Sequence, residues 1–323
     1  MEIPSILDRI ASAGTAGIPL EGEPSAGRDI EICRSWGFPV EVAAGRARLG
    51  RDADLLVPAW IESEARRTAW AKIRARGFLE TGSTNDEALS LTSAGAPEGT
   101  LVHAERQSAG KGRMGRKWNS PAGAGLYFSL VLRPRQAVNV WPNLTHVASI
   151  SLYRALKDLR LQRLIPADLR LDLKWPNDVL VSGKKVAGIL LETALKGECS
   201  PAAVLGVGIN VSSHSVPAEL SDSASAVARE AGVPVARRWL LIRFLTHFQV
   251  GYRLFEAGLF GEILEQWKTC SSMWEGVEIT VQDGDRSRAA VTCGLTETGA
   301  LRIRAADGRE EILLAGDVSI RRR

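Results

Sequence analysis

A chain of 323 residues with 45% hydrophobic and 24% charged residues has the composition of a globular protein with two or three domains. No stretch approaches the roughly 20 uninterrupted apolar residues of a membrane span, and residues 1–4 show no start of a secretory signal. The four cysteines have neither metal-ligand nor disulfide spacing, so we expect a cytoplasmic protein. The net charge of +4 is uneven, because residues 65–270 carry +10 and residues 1–64 carry −5. A basic excess attracts an anionic ligand, although a solvated surface has the same composition.

Residues 1–64 are predicted to form a small module that resembles a shrunken winged helix. Apolar residues at helical spacing over residues 3–13 predict an amphipathic helix. The glycine- and proline-rich stretch that follows leaves room for one short helix, near Asp29–Ser35. Alternating polarity on both sides of Ala43–Gly45 then predicts a hairpin.

Residues 65–270 are predicted to form an α+β domain with a mixed sheet. Tight turns such as Ser182-Gly183 join several strands, which excludes a purely parallel sheet. The predicted helices are Thr84–Ser93, Trp141–Leu159 and Ala236–Glu256. The predicted strands are Thr100–Glu105, Leu126–Leu132, Leu169–Lys174, Val179–Val181, Val186–Glu192 and Ala203–Val211.

Residues 271–323 are predicted to form a small SH3-like barrel, because short strand patterns follow one another with turn signals between some of them. The predicted strands are Val277–Gln282, Ala289–Gly294, Ala300–Arg304, Glu311–Leu314 and Val318–Arg321.

The segment Gln107–Trp118 is a glycine-rich, basic stretch between two predicted strands. Its glycines allow backbone N–H groups to approach a ligand closely. Lys111, Arg113, Arg116 and Lys117 add positive charge where a phosphate would bind. The spacing fits neither a Walker loop nor a dinucleotide fingerprint. A flexible basic hairpin loop is the alternative.

The sequence Lys-Trp-Pro-Asn-Asp at 174–178 ends one predicted strand and opens the next. A lysine beside a rigid corner can place a positive charge on a developing phosphate charge. Asp178 could hold Mg²⁺ or orient the lysine. The alternative is a tight turn with an ordinary lysine at the end of a strand.

Two further polar motifs stand next to predicted elements. Thr84 and Glu87 match a capping box, and the small polar residues around them suit recognition of a polar ligand head. Gly206 and Gly208 alternate along a strand and clear one of its faces, which Asn210 extends with an amide. A bulge or close strand–helix packing is the alternative for the glycines.

The order and spacing of these motifs closely resemble those of the bacterial biotin protein ligases. The resemblance covers about residues 77–323, including the segment 316–320, and is weaker over 1–64, where only residues 36–40 resemble the start of the family's wing. The matching series is Ser83-Thr84-Asn85, Gln107 with the Gly-Lys-Gly-Arg-x-Gly-Arg loop and Trp118, Lys-Trp-Pro-Asn-Asp at 174–178, Gly183-x-Lys185 and Gly206-x-Gly208-x-Asn210.

The resemblance implies a role for each motif residue. The residues implied in binding biotin or its activated carboxyl group are Ser83, Thr84, Asn85, Gln107, Lys111, Gly112, Arg113 and Lys174. Those implied in nucleotide binding are Arg116, Trp118, Lys185 and Asn210, the implied catalytic groups are Lys174 and Arg113, and Asp178 is the candidate metal ligand. The family's loop usually has an arginine where Lys111 stands, and lysine keeps the charge but loses the bidentate fork.

The implied activity is that of an ATP-dependent biotin protein ligase. Such an enzyme forms biotinyl-AMP from biotin and ATP, with Mg²⁺ as co-substrate, and transfers biotin to a lysine of a carboxylase's biotin carrier domain. We expect no tightly bound prosthetic group and no membrane partner, and a homodimer stays open. The alternatives are a lipoate protein ligase, a ligase that also represses the biotin operon, and a non-catalytic binding protein. DNA binding is disfavoured because residues 1–64 are acidic and leave room for one short helix after the first.

Overall fold

The computed structural model describes residues 1–50, 54, 56–68, 70–194, 201–283, 286–314 and 317–320. Three parts follow one another in these ranges: an N-terminal module, a domain around a seven-stranded mixed sheet, and a five-stranded antiparallel sheet. The predicted α+β class with a mixed sheet is therefore confirmed. No helix of the described ranges has the length and apolar character needed to cross a membrane. Cys33, Cys270 and Cys293 are free thiols, and Cys199 lies outside the described residues.

The N-terminal module consists of α1 (Ser5–Ala13), β1 (Ile18–Pro19), α2 (Ala26–Ser35), β2 (Val40–Ala43) and β3 (Arg46–Leu49). The predicted first helix and hairpin are confirmed. The apolar positions of α1 are buried because they recur on one side of the helix. The strands form a sheet in the order β1-β3-β2. Within residues 1–50, all of which are described, α2 is the one helix between β1 and β2, as predicted.

The central domain is built on a sheet in the order β4-β5-β6-β10-β9-β8-β7, in which only β4 and β5 pair in parallel. Its strands are β4 (Arg74–Thr81), β5 (Thr100–Gln107), β6 (Gly125–Leu132), β7 (Leu171–Lys174), β8 (Asp178–Val181), β9 (Lys184–Ala194) and β10 (Ala202–Asn210). Its helices are α3 (Pro58–Thr68), α4 (Thr84–Ser93), α5 (Asn143–Leu161), α6 (Val227–Ala231), α7 (Arg237–Glu256) and α8 (Phe260–Cys270).

The two faces of the sheet have different environments. The main core contains Leu205 and Val207 of β10 together with residues of α5 and α7. A smaller cluster places Val204 of β10 with Ala88 of α4 on the opposite face. Because side chains alternate along a strand, Gly206 and Gly208 face the same side as Val204. The predicted open face of β10 therefore lies on the α4 side of the sheet.

The C-terminal sheet consists of β11 (Glu275–Asp283), β12 (Arg286–Leu295), β13 (Leu301–Ala305), β14 (Glu310–Leu313) and β15 (Asp317–Ile320). All of its pairings are antiparallel, in the order β14-β13-β12-β11-β15. The five predicted strands are thus confirmed. Gly316 and Arg321, which the resemblance and the last predicted strand included, lie outside the described residues.

Several elements lie outside the predicted set, among them α3, β4 and α8. The start of β4, Arg-Ala-Arg-Gly, has little strand propensity, and its strand conformation depends on pairing with β5. The boundary predicted between residues 64 and 65 falls inside α3, whereas the one between 270 and 271 falls at the end of α8. The division into three domains remains a prediction.

Candidate active site

A cleft of about 1270 Å³ opens on the α4 side of the sheet. Its walls come from the N-terminus of α4, the glycine-rich loop, the turn after β7, and β9 and β10. All of the predicted site residues line this one cleft: Ser83, Thr84, Asn85, Gln107, Lys111, Gly112, Arg113, Arg116, Trp118, Lys174, Asp178, Lys185 and Asn210. Residues up to 127 positions apart in the chain are thereby brought together, while their individual roles remain predictions.

Helix α4 begins at the floor of the cleft, where Thr84 and Gln107 bind each other. The Gln107 Oε1 atom accepts hydrogen bonds from Thr84 N at 2.8 Å and from Thr84 Oγ1 at 3.1 Å. Gln107 Nε2 donates to Ser120 Oγ at 2.8 Å. One N–H of the Gln107 amide has no bond among these contacts and can serve a ligand.

The predicted capping box at Thr84 and Glu87 is wrong. Ser83 is the N-cap residue of α4, and its side chain forms no capping hydrogen bond. The Thr84 hydroxyl is instead engaged by Gln107 and Ser129, and Glu87 accepts a hydrogen bond from Thr81 Oγ1 at 2.6 Å. The tertiary contacts of Thr84 thus replace local capping and leave the Ser83 hydroxyl at the cleft wall.

Asn85 is fixed at both ends of its amide. Its Oδ1 accepts from Ser129 Oγ at 2.6 Å, and its Nδ2 donates to Glu192 Oε2 at 2.7 Å. A Cβ on Gly206 would lie 2.1 Å from Asn85 Oδ1, so this position has room only for glycine. Asn85, predicted to bind the ligand head, therefore keeps one N–H and one lone pair for that purpose.

Ser129 and Glu192 were not predicted from the sequence. Ser129 is a fully buried hydroxyl within the otherwise apolar strand β6 and bonds both Thr84 and Asn85. A polar residue in a continuous apolar run is the signal that could have identified it, because buried hydroxyls need partners. Glu192 gives no comparable signal, since its contact with Asn85 joins residues 107 positions apart.

The glycine-rich loop folds back on itself as a short hairpin over the cleft. Trp118 N donates to Gly110 O at 2.8 Å and Gly112 N donates to Arg116 O at 2.7 Å. Arg113 Nη1 reaches across to Asn177 Oδ1 at 3.3 Å, so the loop and the turn after β7 touch each other. The Lys-Trp-Pro-Asn-Asp turn at 174–178 thus holds the glycine-rich loop through this contact.

Lys111, on the glycine-rich loop, forms an ion pair with Asp86 in the first turn of α4. The hydrogen bond from Lys111 to Asp86 raises the pKa of the Lys111 ammonium. Asp86 was not predicted as a partner. The ion pair ties the loop to the helix that carries Thr84 and Asn85.

The Trp118 ring packs on the two glycine-bearing strands. A Cβ on Gly208 would lie 2.6 Å from Trp118 Nε1, and one on Gly188 would lie 3.1 Å from its Cζ3. Lys185 Nζ stands 5.3 Å from the Trp118 ring centroid, a cation–π distance. The face cleared by the glycines is therefore filled by an aromatic ring in this structure.

Lys174 is the last residue of β7 and pairs in register with Asp178 of β8. Burial lowers the pKa of Lys174 below its ordinary value, the Asp178 charge opposes this, and the charges of Lys185 and Arg116 lower the pKa further. A half-buried ammonium among other cations binds an anion strongly, because the anion relieves both the repulsion and the desolvation. These charges suit a site for phosphate or carboxylate.

Asp178 and Asn210 are held by neighbouring residues. Asp178 Oδ1 lies 2.7 Å from Lys185 Nζ, and Asn210 Nδ2 donates to Ser225 O at 3.2 Å. No group of three or more His, Cys, Asp or Glu side chains suited to a metal occurs within the described ranges. Mg²⁺ commonly takes one or two carboxylates plus phosphate oxygens, so the second oxygen of Asp178 would be the one to bind it while Oδ1 pairs with Lys185. Its role as a metal ligand stays a prediction.

Comparison with known proteins shows what this chain is similar to. Residues 79–210 match the model of the biotin/lipoate A/B protein ligase family. The chain is 32% identical over 300 residues to the bifunctional ligase/repressor BirA of Bacillus subtilis, covering 89% of this chain and 87% of that protein. It is 35% identical over 240 residues to the biotin–[acetyl-CoA-carboxylase] ligase of Paracoccus denitrificans, covering 73% of this chain and 96% of that one. The biotin protein ligase of Aquifex aeolicus in complex with biotin and ATP superposes with a TM-score of 0.64 at 29% identity, covering 78% of this chain and 100% of that chain.

Proposed function

The chain belongs to the biotin protein ligases of the biotin/lipoate A/B protein ligase family, and we propose that it forms biotinyl-AMP and transfers the biotinyl group to a lysine of a carboxylase's biotin carrier domain. The main support is that one cleft holds both a network of neutral hydrogen-bonding groups and a cluster of cations. The neutral network suits an uncharged polar head, and the cations suit a carboxylate joined to a phosphate.

The ureido head of biotin offers two N–H donors and one carbonyl acceptor. The cleft offers complementary groups: the Ser83 hydroxyl, the remaining N–H of Gln107, and the remaining N–H and lone pair of Asn85. The Gln107 and Asn85 amides are already oriented by Ser120 and Ser129, so little ordering of these two side chains is needed when biotin binds. We propose that this network is the biotin head site.

In the first reaction a carboxylate oxygen of biotin attacks the α-phosphorus of ATP, and the bond to pyrophosphate breaks. Negative charge accumulates at the α-phosphate during this step. We assign its stabilisation to Lys174 and Arg113, which point charge into the cleft, with Lys185 and Trp118 beside the nucleotide. The loop hairpin over the cleft would exclude water, which otherwise hydrolyses the mixed anhydride.

In the second reaction the ε-amine of the carrier lysine attacks the biotinyl carbonyl carbon, and AMP leaves. The attacking amine must be neutral, and its ordinary pKa of about 10.4 means that little of it is neutral at pH 7. Cations near the AMP phosphate favour its departure by stabilising the leaving group. We propose that the reaction takes place in the cytoplasm, as the cysteine pattern predicts.

One experiment tests the substrate assignment against lipoate. The protein is incubated with ATP, Mg²⁺, a biotin carrier domain and a lipoyl domain, with either biotin or lipoate, and each domain is weighed by mass spectrometry. We expect the biotinyl mass increase on the biotin carrier alone, and none when its acceptor lysine is replaced by arginine. Lipoylation without biotinylation would overturn the assignment.

Operator binding is the second candidate function, since the Bacillus subtilis relative is named a bifunctional ligase/repressor and the N-terminal sheet has a hairpin at its edge. The cations of that hairpin are already engaged: Arg46 donates to Ala16 O at 2.9 Å and Gly17 O at 2.8 Å, and Arg48 lies 2.8 Å from Glu41. DNA affinity depends heavily on cations that neutralise phosphates. We therefore propose a ligase that does not bind operator DNA.

An electrophoretic shift with DNA from the protein's own biotin-gene promoter, in biotin and ATP at moderate salt, tests this second candidate. We expect no complex that survives nonspecific competitor DNA. A specific, competitor-resistant complex would restore the bifunctional role, and Arg46→Ala and Arg48→Ala would then show whether the hairpin contacts DNA.

A further inference from the structure

Lys174 stands on a strand that has a neighbour on one side only. Strand β7 is the last strand of the seven-stranded sheet, and Lys174 pairs with Asp178 of β8. In the part of the chain that the structure describes, no strand pairs with its other edge. The position of this edge strand, and of the ammonium at its end, therefore depends partly on contacts outside the sheet.

Those contacts come from the C-terminal third of the chain. Ser271 Oγ donates to Leu173 O at 2.7 Å, and Trp175 Nε1 donates to Gly299 O at 3.0 Å, both buried. Ser272 binds the Asp172 carboxylate through its backbone N–H at 2.8 Å and through its hydroxyl. The residues on both sides of Lys174 are thus held by the end of α8 and by the turn between β12 and β13.

The binding of Asp172 by Ser272 also has an electrostatic effect. Asp172 and Lys174 lie two positions apart on β7 and face the same side, and both line the cleft. A free carboxylate there would repel a phosphate and compete with it for Lys174. Ser272 donates one hydrogen bond to each Asp172 oxygen, so the Asp172 carboxylate competes less with a phosphate for Lys174.

The turn that receives Trp175 is itself rigid. Gly299 has φ +79°, and a Cβ on it would lie 2.6 Å from His146 Cε1 and 2.8 Å from Asn143 Oδ1. Gly299 N also donates to Thr296 O at 2.9 Å. The Gly299 carbonyl is therefore fixed against the first turn of α5, which is buried in the main core.

Building on the proposed function, we propose that Ser271, Ser272 and Gly299 form a clamp that positions Lys174 for adenylation. They are positioning residues: Ser271 and Ser272 border the cleft, but their hydrogen bonds go to Leu173 and Asp172 of β7, and the Gly299 carbonyl accepts from Trp175. The biotin head site is made by α4, β5, β6 and β10 and shares none of these contacts. Loosening the clamp therefore slows adenylation and leaves biotin binding intact.

Two variants loosen the clamp, and a third serves as a matched control. Trp175→Phe removes the indole donor to Gly299, and Ser271→Ala removes the bond to Leu173. Trp141, whose side chain is as buried as that of Trp175, donates from Nε1 to Gln136 O at 2.9 Å, and Trp141→Phe removes this bond without touching β7. All three are compared for thermal stability, for biotin affinity by calorimetry, and for biotin-dependent pyrophosphate exchange.

We expect kcat for exchange to fall by about 10- to 100-fold in Trp175→Phe and Ser271→Ala, because displacing a catalytic group by about 1 Å has an effect of this size. Biotin Kd should stay within about twofold, as for sites without shared partners, and Trp141→Phe should keep the wild-type kcat. A wild-type kcat for pyrophosphate exchange in both clamp variants would overturn the proposal, and so would an equal loss of kcat in Trp141→Phe. A parallel loss of biotin affinity would also overturn it.

Hydrogen exchange of residues 171–176 tests the clamp without activity. We expect faster exchange there in Trp175→Phe and Ser271→Ala, and unchanged exchange in Trp141→Phe. If the wild-type protein shows no biotin-dependent pyrophosphate exchange, the proposed function fails and this measurement still tests the clamp. Unchanged exchange of residues 171–176 in both clamp variants would refute the clamp alone.

Discussion

Replacing Gly206 by alanine should damage the biotin head site through a single contact. The new Cβ would lie 2.1 Å from Asn85 Oδ1, while ordinary contacts begin near 3.5 Å, so the amide must move by about 1.4 Å. That movement breaks its bonds to Ser129 and Glu192. A neutral hydrogen bond contributes about 1 kcal/mol and one to a charged group about 1.5–3 kcal/mol, so the free energy of unfolding should fall by about 2.5–4 kcal/mol.

The displaced amide should also weaken biotin binding by about 10- to 100-fold, which corresponds to about 1.4–2.7 kcal/mol. Calorimetric titration and chemical unfolding measure the two effects. Gly261→Ala is the control, because a Cβ there meets nothing within 4 Å. In a double-mutant cycle, Asn85→Ala with Gly206→Ala should be no worse than Asn85→Ala alone, since the clash is gone. Wild-type biotin affinity in Gly206→Ala would refute this reasoning.

Three further predictions concern the charged side of the cleft. Lys174→Ala should lower biotin-dependent pyrophosphate exchange by about 10²- to 10³-fold with near wild-type stability, and exchange near the wild-type rate would contradict the role of Lys174. Burial lowers the pKa of Lys174 and the Asp178 charge raises it, so the Lys174 ammonium loses its charge as pH rises through this lowered pKa. Asp178→Asn removes the opposing charge and should therefore move the alkaline fall of kcat/KM for ATP to lower pH. A shift to higher pH would exclude Lys174 as the titrating group. Hydrogen exchange in Ser108–Lys117 should slow when biotin and ATP are added, since an anion relieves repulsion among its cations, and equal protection with and without them would rule out ordering of the loop.

Most of the predicted site residues stand where an element begins or ends, and the pairing of the strands in one sheet brings them together. Ser83 and Thr84 start α4, Gln107 ends β5, and Lys174 ends β7. Binding and catalytic residues are concentrated at loops and element ends, so polar motifs at these positions are natural candidates in a sequence. The order and spacing of the motifs, through their resemblance to a known family, predicted which residues line the cleft, whereas each motif alone also fitted a structural reading.

The partners of those residues could not be predicted in the same way. Glu192 reaches Asn85 only because β9 and β10 pair with Glu192 opposite Val204, which places Glu192 near Gly206. The capping box failed for the same reason, since the Thr84 hydroxyl is taken by Ser129 from a strand 45 positions later. Local propensity cannot anticipate a contact that depends on sheet register.

The N-terminal module has a physical role in the ligase whether or not it binds DNA. Strand β4 is an edge of the main sheet, and the chain start covers it: Ile3 N donates to Gly77 O at 3.0 Å and Leu79 N donates to Met1 O at 2.8 Å. Leu79 belongs to the core of the N-terminal module, so the module and the sheet share buried surface. Removing the module would expose both an unpaired strand edge and an apolar patch. The N-terminal module therefore stabilises the catalytic sheet, and this role does not require the positive charge that DNA binding would.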